Sequence, residues 1–387
     1  MGILSRCGGV LFVMKARAFV LVFAIIITTT FGKICYANEK KNLPQISSKS
    51  AIAIEWVTRK ILFEKNKDLK LPMASTTKIM TAILVLENCD VNKEIEIPPQ
   101  AVGVPGSSMY LEKGEKLKII DLLYGLMLSS GNDAAVALAI ATAGDVKRFV
   151  NLMNKKAKEL GLSNTVFSSP HGLEQGEHYT TAHDLAKLAA YAMRNPIFRQ
   201  IVKTTEKEVP WTTRPYNRIL KNKNKMLRLY PGAEGVKTGF TKKAGRCLVT
   251  SACRDDFRVI CVVLNAPDMW NDTRKILDYC YSNFKVVKLL PGEIGYVKVK
   301  NGKSDWVKVG TTYQRYWVVD LNCLPKIEVL LQVAEAPIEK NKVVGRLNLY
   351  LKGEKWSFPI VALQECQRKS LWDRIKEKLF EKRMRQK

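Results

Sequence analysis

Histidine is scarce in this chain. Only three occur in 387 residues, at 171, 178 and 183. None stands at the spacing of an HExxH pair, so no metal site is expected. The nine cysteines fall at 7, 35, 89, 247, 253, 261, 280, 323 and 366, with no CxxC among them. An odd number follows residue 37, and most lie inside apolar runs. They read as small buried hydrophobes and not as a disulfide framework. Acidic residues are also few, 36 against 63 Lys and Arg, for a formal net charge of +27. Such a basic surface suits nucleic acid, an anionic membrane or an anionic polymer. No internal repeat is visible. The run Ala18 to Phe31 is short for a spanning helix.

That run belongs to an export signal. Arg6, Lys15 and Arg17 precede it, no acid occurs before Glu39, and Cys35-Tyr36-Ala37 forms a small-x-small cleavage site. Residues 1–37 are therefore expected to be removed, with Met14 an alternative start, leaving a chain that is still strongly basic. Bulky Ile34 argues against lipidation at Cys35. Export argues against a nucleic-acid partner and leaves anionic lipid or wall polymer.

The rest is long enough for two or three structural units, and a 47% hydrophobic content supplies an ordinary core. Residues 50–64 read as a β-hairpin. A helix is predicted from Ser75 to Asn88, with an apolar face of Ile79, Met80, Ile83, Leu84 and Leu86. The stretch 119–144 is almost uncharged, so two buried helices are expected, broken at Ser129-Ser130-Gly131 and restarted by Asn132 or Asp133. Further helices are predicted at 146–160, 181–194 (with Thr181 and Asp184 as a capping box) and 268–285. Strands are expected at 235–240, 246–253 and 257–264. Together with the first hairpin they should form an antiparallel sheet flanked by a helical insert.

Pro291-Gly292 marks a boundary, giving a first domain over 38–288. Short alternating segments over 292–364 predict a small all-β domain, with Asn301-Gly302 a hairpin signal. In the tail, 367–387, Leu371, Trp372, Ile375, Leu379 and Phe380 share one helical face and cations fill the other. That pattern suits a helix lying in a membrane interface; docking on the protein is the plainer alternative.

Three short motifs carry chemistry. Ser75-Thr-Thr-Lys78 puts a hydroxyl and an amine on one helical face, where a neutral lysine can activate the serine. Alone, SxxK arises by chance about once or twice in such a chain, and Ser75 could be a plain N-cap. Ser130-Gly131-Asn132 falls at the break between buried helices. Ser130 could pass a proton to a leaving amine and Asn132 could bind a substrate amide, or the segment could be a turn. Lys237-Thr238-Gly239 sits on a predicted strand. Lys237 and Thr238 could hold a carboxylate, Gly239 permits close approach, and the N–H of Phe240 could join that of Ser75 in an oxyanion hole. The ordinary alternative is an edge strand with a defensive lysine.

In this order the motifs resemble those of the penicillin-recognising serine enzymes. The chain is similar to the low-molecular-weight penicillin-binding proteins, serine-type D-alanyl-D-alanine carboxypeptidases of peptidase family S11, from about residue 45 to the C-terminus. Matching segments include LPMASTTKIMTA (71–82), SSGNDAA (129–135), SPHGLEQGEHYTTAHDLA (169–186) and EGVKTGFTKKAGRCLV (234–249). The resemblance implies an α/β (α+β) fold: a β-lactamase/transpeptidase-like domain, a small all-β domain and an amphipathic C-terminal anchor on the outer face of the bacterial cell membrane. It implies Ser75 as acylated nucleophile and Lys78 as its base. It further implies Ser130 in proton transfer, Asn132 in substrate positioning, and Lys237, Thr238, Gly239 and Phe240 in substrate binding. His171 is expected to be structural. No cofactor is implied; the partners are peptidoglycan stem peptides, β-lactam antibiotics and the membrane surface. Relatives often carry an arginine in the helix after the sheet. Here Asn271 and Thr273 surround that place and Arg274 is the nearest candidate. Some relatives also have histidine at the place of Phe240. The rivals are a serine β-lactamase, for which no glutamate equivalent stands near 163–169, and a wall-binding scaffold with a decayed site, although no motif residue is missing.

Overall fold

The computed structural model describes residues 43–384, except 174–175, 291, 313–314, 322–324 and 352–353. The expected leader over 1–37, Pro291 and Cys323 lie outside the described residues.

Strands β1 (Ser50–Glu55) and β2 (Ile61–Lys65) form the predicted hairpin. Later in the chain come β3 (Ala233–Thr241), β4 (Gly245–Arg254) and β5 (Phe257–Leu264). Together they build one antiparallel sheet in the order β2-β1-β5-β4-β3. The central strands read as unbroken apolar runs because both faces are covered. Along β5, Ile260, Val262 and Leu264 join a large cluster with the helical insert. Val259, Cys261 and Val263 join Ile276, Leu277 and Cys280 of the helix Met269–Asn283 on the opposite face.

The insert holds α1 (Lys78–Asn88), α2 (Asn132–Ala143), α3 (Val146–Glu159) and α4 (Ala182–Ala192). A one-sided apolar stripe was expected for α1. Instead every residue from Lys78 to Val85 is buried, since the helix runs through the centre of the insert. A short 3-10 turn, Ala74–Thr77, precedes it, so Ser75 sits in a tight turn before the α-helix begins.

The predicted break in the apolar stretch is present. A helix (Ile119–Tyr124) passes into a π turn (Gly125–Ser129), and Ser130 adopts a left-handed φ of 63° before α2. As expected, α2 restarts at Asn132 and Asp133, its first residues, although neither side chain caps it. The Asp133 carboxylate instead accepts from the backbone N–H of Met109 and Leu111 and from Ser108 Oγ, tying the 105–111 loop to the helix. At α4, Thr181 Oγ1 accepts from the N–H of Asp184, one half of a capping box. The Asp184 carboxylate turns away to Asn164 N and Thr165 Oγ1.

Toward the C-terminus, Phe284–Leu290 pairs with Arg315–Asp320. A six-stranded sheet follows the order Lys326–Leu331, Val343–Leu351, Glu354–Ala362, Trp306–Gly310, Glu293–Lys300, Ala334–Glu335. Its core includes Val297, Val307, Val309, Leu347 and Ile360. Asn301 has the expected left-handed φ, 59°, but the next strand starts only at Trp306, so the turn is longer than two residues. The last helix, Leu371–Met384, opens on a reciprocal pair in which Asp373 N donates to Ser370 Oγ and Ser370 N to Asp373 Oδ2. No helix among the described residues is long and apolar enough to cross a membrane.

Candidate active site

The first and second motifs meet at one amine. Lys78 is fully buried, and its Nζ lies 2.9 Å from Ser75 Oγ, 2.7 Å from Asn132 Oδ1 and 2.8 Å from the carbonyl oxygen of His171. The orientation of Asn132 is fixed by its other end, since Nδ2 donates to the carbonyl of Pro105 at 2.6 Å. Its Oδ1 therefore faces the lysine as an acceptor. Asn132 Oδ1 and His171 O can only accept, so they consume two N–H groups of the amine. In the neutral amine the lone pair remains, directed at Ser75 Oγ.

The surroundings favour that neutral form. Burial, then the nearby Lys237 and Lys223 ammonium groups, hold Lys78 well below the usual lysine range, against a weaker opposing pull from Asp133. Lys237 is likewise buried, lowered to about 7 by burial and by Lys223, and its Nζ donates to the carbonyl of Thr238 at 3.0 Å. Lys223 is itself lowered by burial and donates to Ser107 Oγ.

The third motif lies on β3, an edge of the sheet, packed against the Ser75 turn. A β-carbon at Gly239 would stand 3.0 Å from Met73 O and 3.1 Å from Ser75 N. The close approach allowed by this glycine is thus made by the chain's own turn. Phe240 is two-thirds exposed. Ser130 is buried, in a left-handed backbone conformation between the π turn and α2.

The fold therefore gathers Ser75, Lys78 and Asn132 into direct contact, brings Lys237 within electrostatic reach, and lays Gly239 against the Ser75 turn. Arg274 is different: its guanidinium donates to Asn271 Oδ1 on the exposed side of its helix. Sequence patterns missed His171 as a ligand of the amine through its carbonyl, because a backbone oxygen carries no residue signature. They also missed Lys223, whose only signal was a lysine beside an asparagine pair, and the loop partners of Asp133, which was expected only to start a helix.

Among the described residues no group of three or more His, Cys, Asp or Glu could hold a metal ion. Among the described cysteines, Cys247, Cys261, Cys280 and Cys366 are buried, while Cys89 and Cys253 are half-buried.

Comparison with known proteins places these features in context. The D-alanyl-D-alanine carboxypeptidase family model matches residues 34–268, and the model for the C-terminal domain of penicillin-binding protein 5 matches 272–368. The chain is 34% identical over 374 residues to the D-alanyl-D-alanine carboxypeptidase DacF of Bacillus subtilis, covering 92% of this chain and 96% of that protein. It is 32% identical to DacA of Escherichia coli, covering 86% and 87%. Among solved structures, penicillin-binding protein 5 of Haemophilus influenzae superposes with a TM-score of 0.66 at 28% identity, covering 84% of this chain and 98% of that one. Penicillin-binding protein 6B of Escherichia coli gives a TM-score of 0.69 at 26% identity, with the same coverage.

Proposed function

Since the chain belongs to peptidase family S11, the D-alanyl-D-alanine carboxypeptidases, we propose that Ser75 is its acylated nucleophile and Lys78 the base that activates it. The protein is a serine-type D-alanyl-D-alanine carboxypeptidase that works through an acyl-enzyme, acts on peptidoglycan peptides and binds β-lactams. Ser75 Oγ attacks the carbonyl carbon between the two terminal D-alanines as its proton passes to the Lys78 lone pair. The tetrahedral oxyanion is received by backbone N–H groups of Ser75 and Phe240. Collapse breaks the C–N bond as Ser130 delivers a proton to the departing D-alanine amine and takes up in its place the one held by Lys78, which returns to the neutral amine. Water then attacks the ester as Lys78 takes its proton, and the C–O bond to Ser75 breaks as Lys78 returns that proton to Ser75 Oγ. Lys237 and Thr238 hold the terminal carboxylate, and Gly239 keeps their strand close to the nucleophile. Asn132 orients Lys78 in the resting site and offers its amide to the substrate when the stem peptide binds.

The observation that carries this assignment is the buried amine 2.9 Å from Ser75 Oγ with its other two positions occupied by obligate acceptors. The deciding experiment is Ser75→Ala. It should release no D-alanine from a D-Ala-D-Ala-ended pentapeptide and take no covalent penicillin label, whereas the parent should keep a stable penicilloyl adduct. A labelled variant removes Ser75 from the role, and rapid penicillin turnover by the parent would favour a β-lactamase.

Peptidoglycan lies outside the cytoplasm, so the enzyme's substrate demands export; the leader over 1–37 is the segment assigned to direct it. We assign the C-terminal helix to the membrane surface on the outer face. Leu371, Trp372, Ile375 and Leu379 are exposed on it and basic residues crowd its length. Truncation after residue 366 should free the processed enzyme from membranes with peptide cleavage largely intact. A truncated form that stays on the membrane would contradict the anchor.

A further inference from the structure

The turn that presents Ser75 needs support, because Ala74, just before it, adopts a left-handed φ of 47° that a β-carbon disfavours. Gly172 and His178 supply that support. Gly172, itself at φ 94°, packs its Cα onto the turn, where a β-carbon would fall 2.0 Å from the carbonyl oxygen of Ala74. His178 contributes a directed contact. Its Nδ1 accepts from the backbone N–H of Ser168 at 3.0 Å, which leaves the ring proton on Nε2. Nε2–H donates to Thr77 Oγ1 at 2.7 Å, and Thr77 Oγ1–H donates to Ala74 O at 2.8 Å.

We propose that His178 is a positioning residue for the nucleophile, acting through the Thr77 hydroxyl to hold the Ala74 carbonyl and thereby aim Ser75 Oγ at Lys78. The proposal rests on Ser75 being the nucleophile. In this role His178 sets the turn in which Ser75 reacts. Its neutral tautomer agrees with its surroundings, where burial lowers the imidazole to about 4.

The test uses the processed enzyme with Thr77→Val, Thr77→Ser, His178→Ala and His178→Gln, reading the rate of acylation by a fluorescent penicillin and the kcat and KM for peptide, beside each variant's thermal midpoint. Val matches Thr in shape but cannot pass the hydrogen bond. A misaimed nucleophile costs on the order of 100-fold in rate. Thr77→Val and His178→Ala should therefore lose at least about tenfold in acylation and in kcat, with KM little changed, at temperatures where both remain folded. Thr77→Ser should restore most of the rate, and His178→Gln part of it, since its amide N–H can still donate. Folded Thr77→Val that acylates at the parental rate, while Ser75→Ala takes no label, overturns the relay but leaves the nucleophile in place. Labelling of Ser75→Ala overturns both.

Discussion

Gly239 on the edge strand and Ser75 in its 3-10 turn approach so closely that a β-carbon at 239 would lie 3.1 Å from Ser75 N. Its two other neighbours are Met73 O at 3.0 Å and the β-carbon of Ala74 at 3.2 Å. None is the free end of a flexible side chain, so one element must move by a few tenths of an ångström. Gly239→Ala is expected to fold, because β3 is an edge strand, and to lose about tenfold or more in penicillin acylation. Stopped-flow labelling beside a thermal melt checks this; parental acylation would show that the strand and the turn are not coupled.

The two buried lysines predict opposite pH dependences. As the proposed base, Lys78 works only when unprotonated, so kcat/KM should climb with pH through its depressed titration. Lys237 must keep its proton to pair with a carboxylate, so kcat/KM should fall again above about 7. The expected profile is a bell. Lys237→Arg keeps its charge at every pH tested and should retain the acid limb while losing the alkaline one. An unchanged alkaline limb in that variant would mean that another group titrates there.

Behind the 105–111 loop, Glu115 and Arg218 form a buried pair, with Arg218 Nη2 donating to Glu115 Oε2 at 2.6 Å and to the carbonyl of Tyr110 at 2.9 Å. Arg218→Met strands a fully buried carboxylate and should destabilise the fold by about 3–5 kcal/mol, measured by urea unfolding. Replacing both partners, Glu115→Leu with Arg218→Met, should recover most of that loss. A cost below about 1 kcal/mol for the single change would show that Glu115 finds another partner.

Much of the architecture was legible along the chain. The pattern over 257–264 alternates between two apolar faces, and the structure puts one set against the insert and the other against the helix Met269–Asn283. The helix break at Ser130 was visible from the Ser-Ser-Gly interruption of an apolar run, and the helix start at Thr181 from its capping residue. The side-chain partners of Asp133 and Asp184 were not visible. A carboxylate near a helix start can cap its own helix or reach a distant loop, and only packing chooses between the two.

By itself the sequence determined which groups could react: a hydroxyl and an amine three residues apart, a polar loop between apolar helices, and a lysine on a strand. Tertiary structure alone decided the state in which they meet. Burial and two neighbouring cations strip Lys78 of its ordinary basicity, and the Asn132 amide and the His171 carbonyl take up its other two positions. Those partners lie 54 and 93 residues away along the chain. Charge, desolvation and hydrogen-bond direction depend on distance in space, which a linear order does not contain.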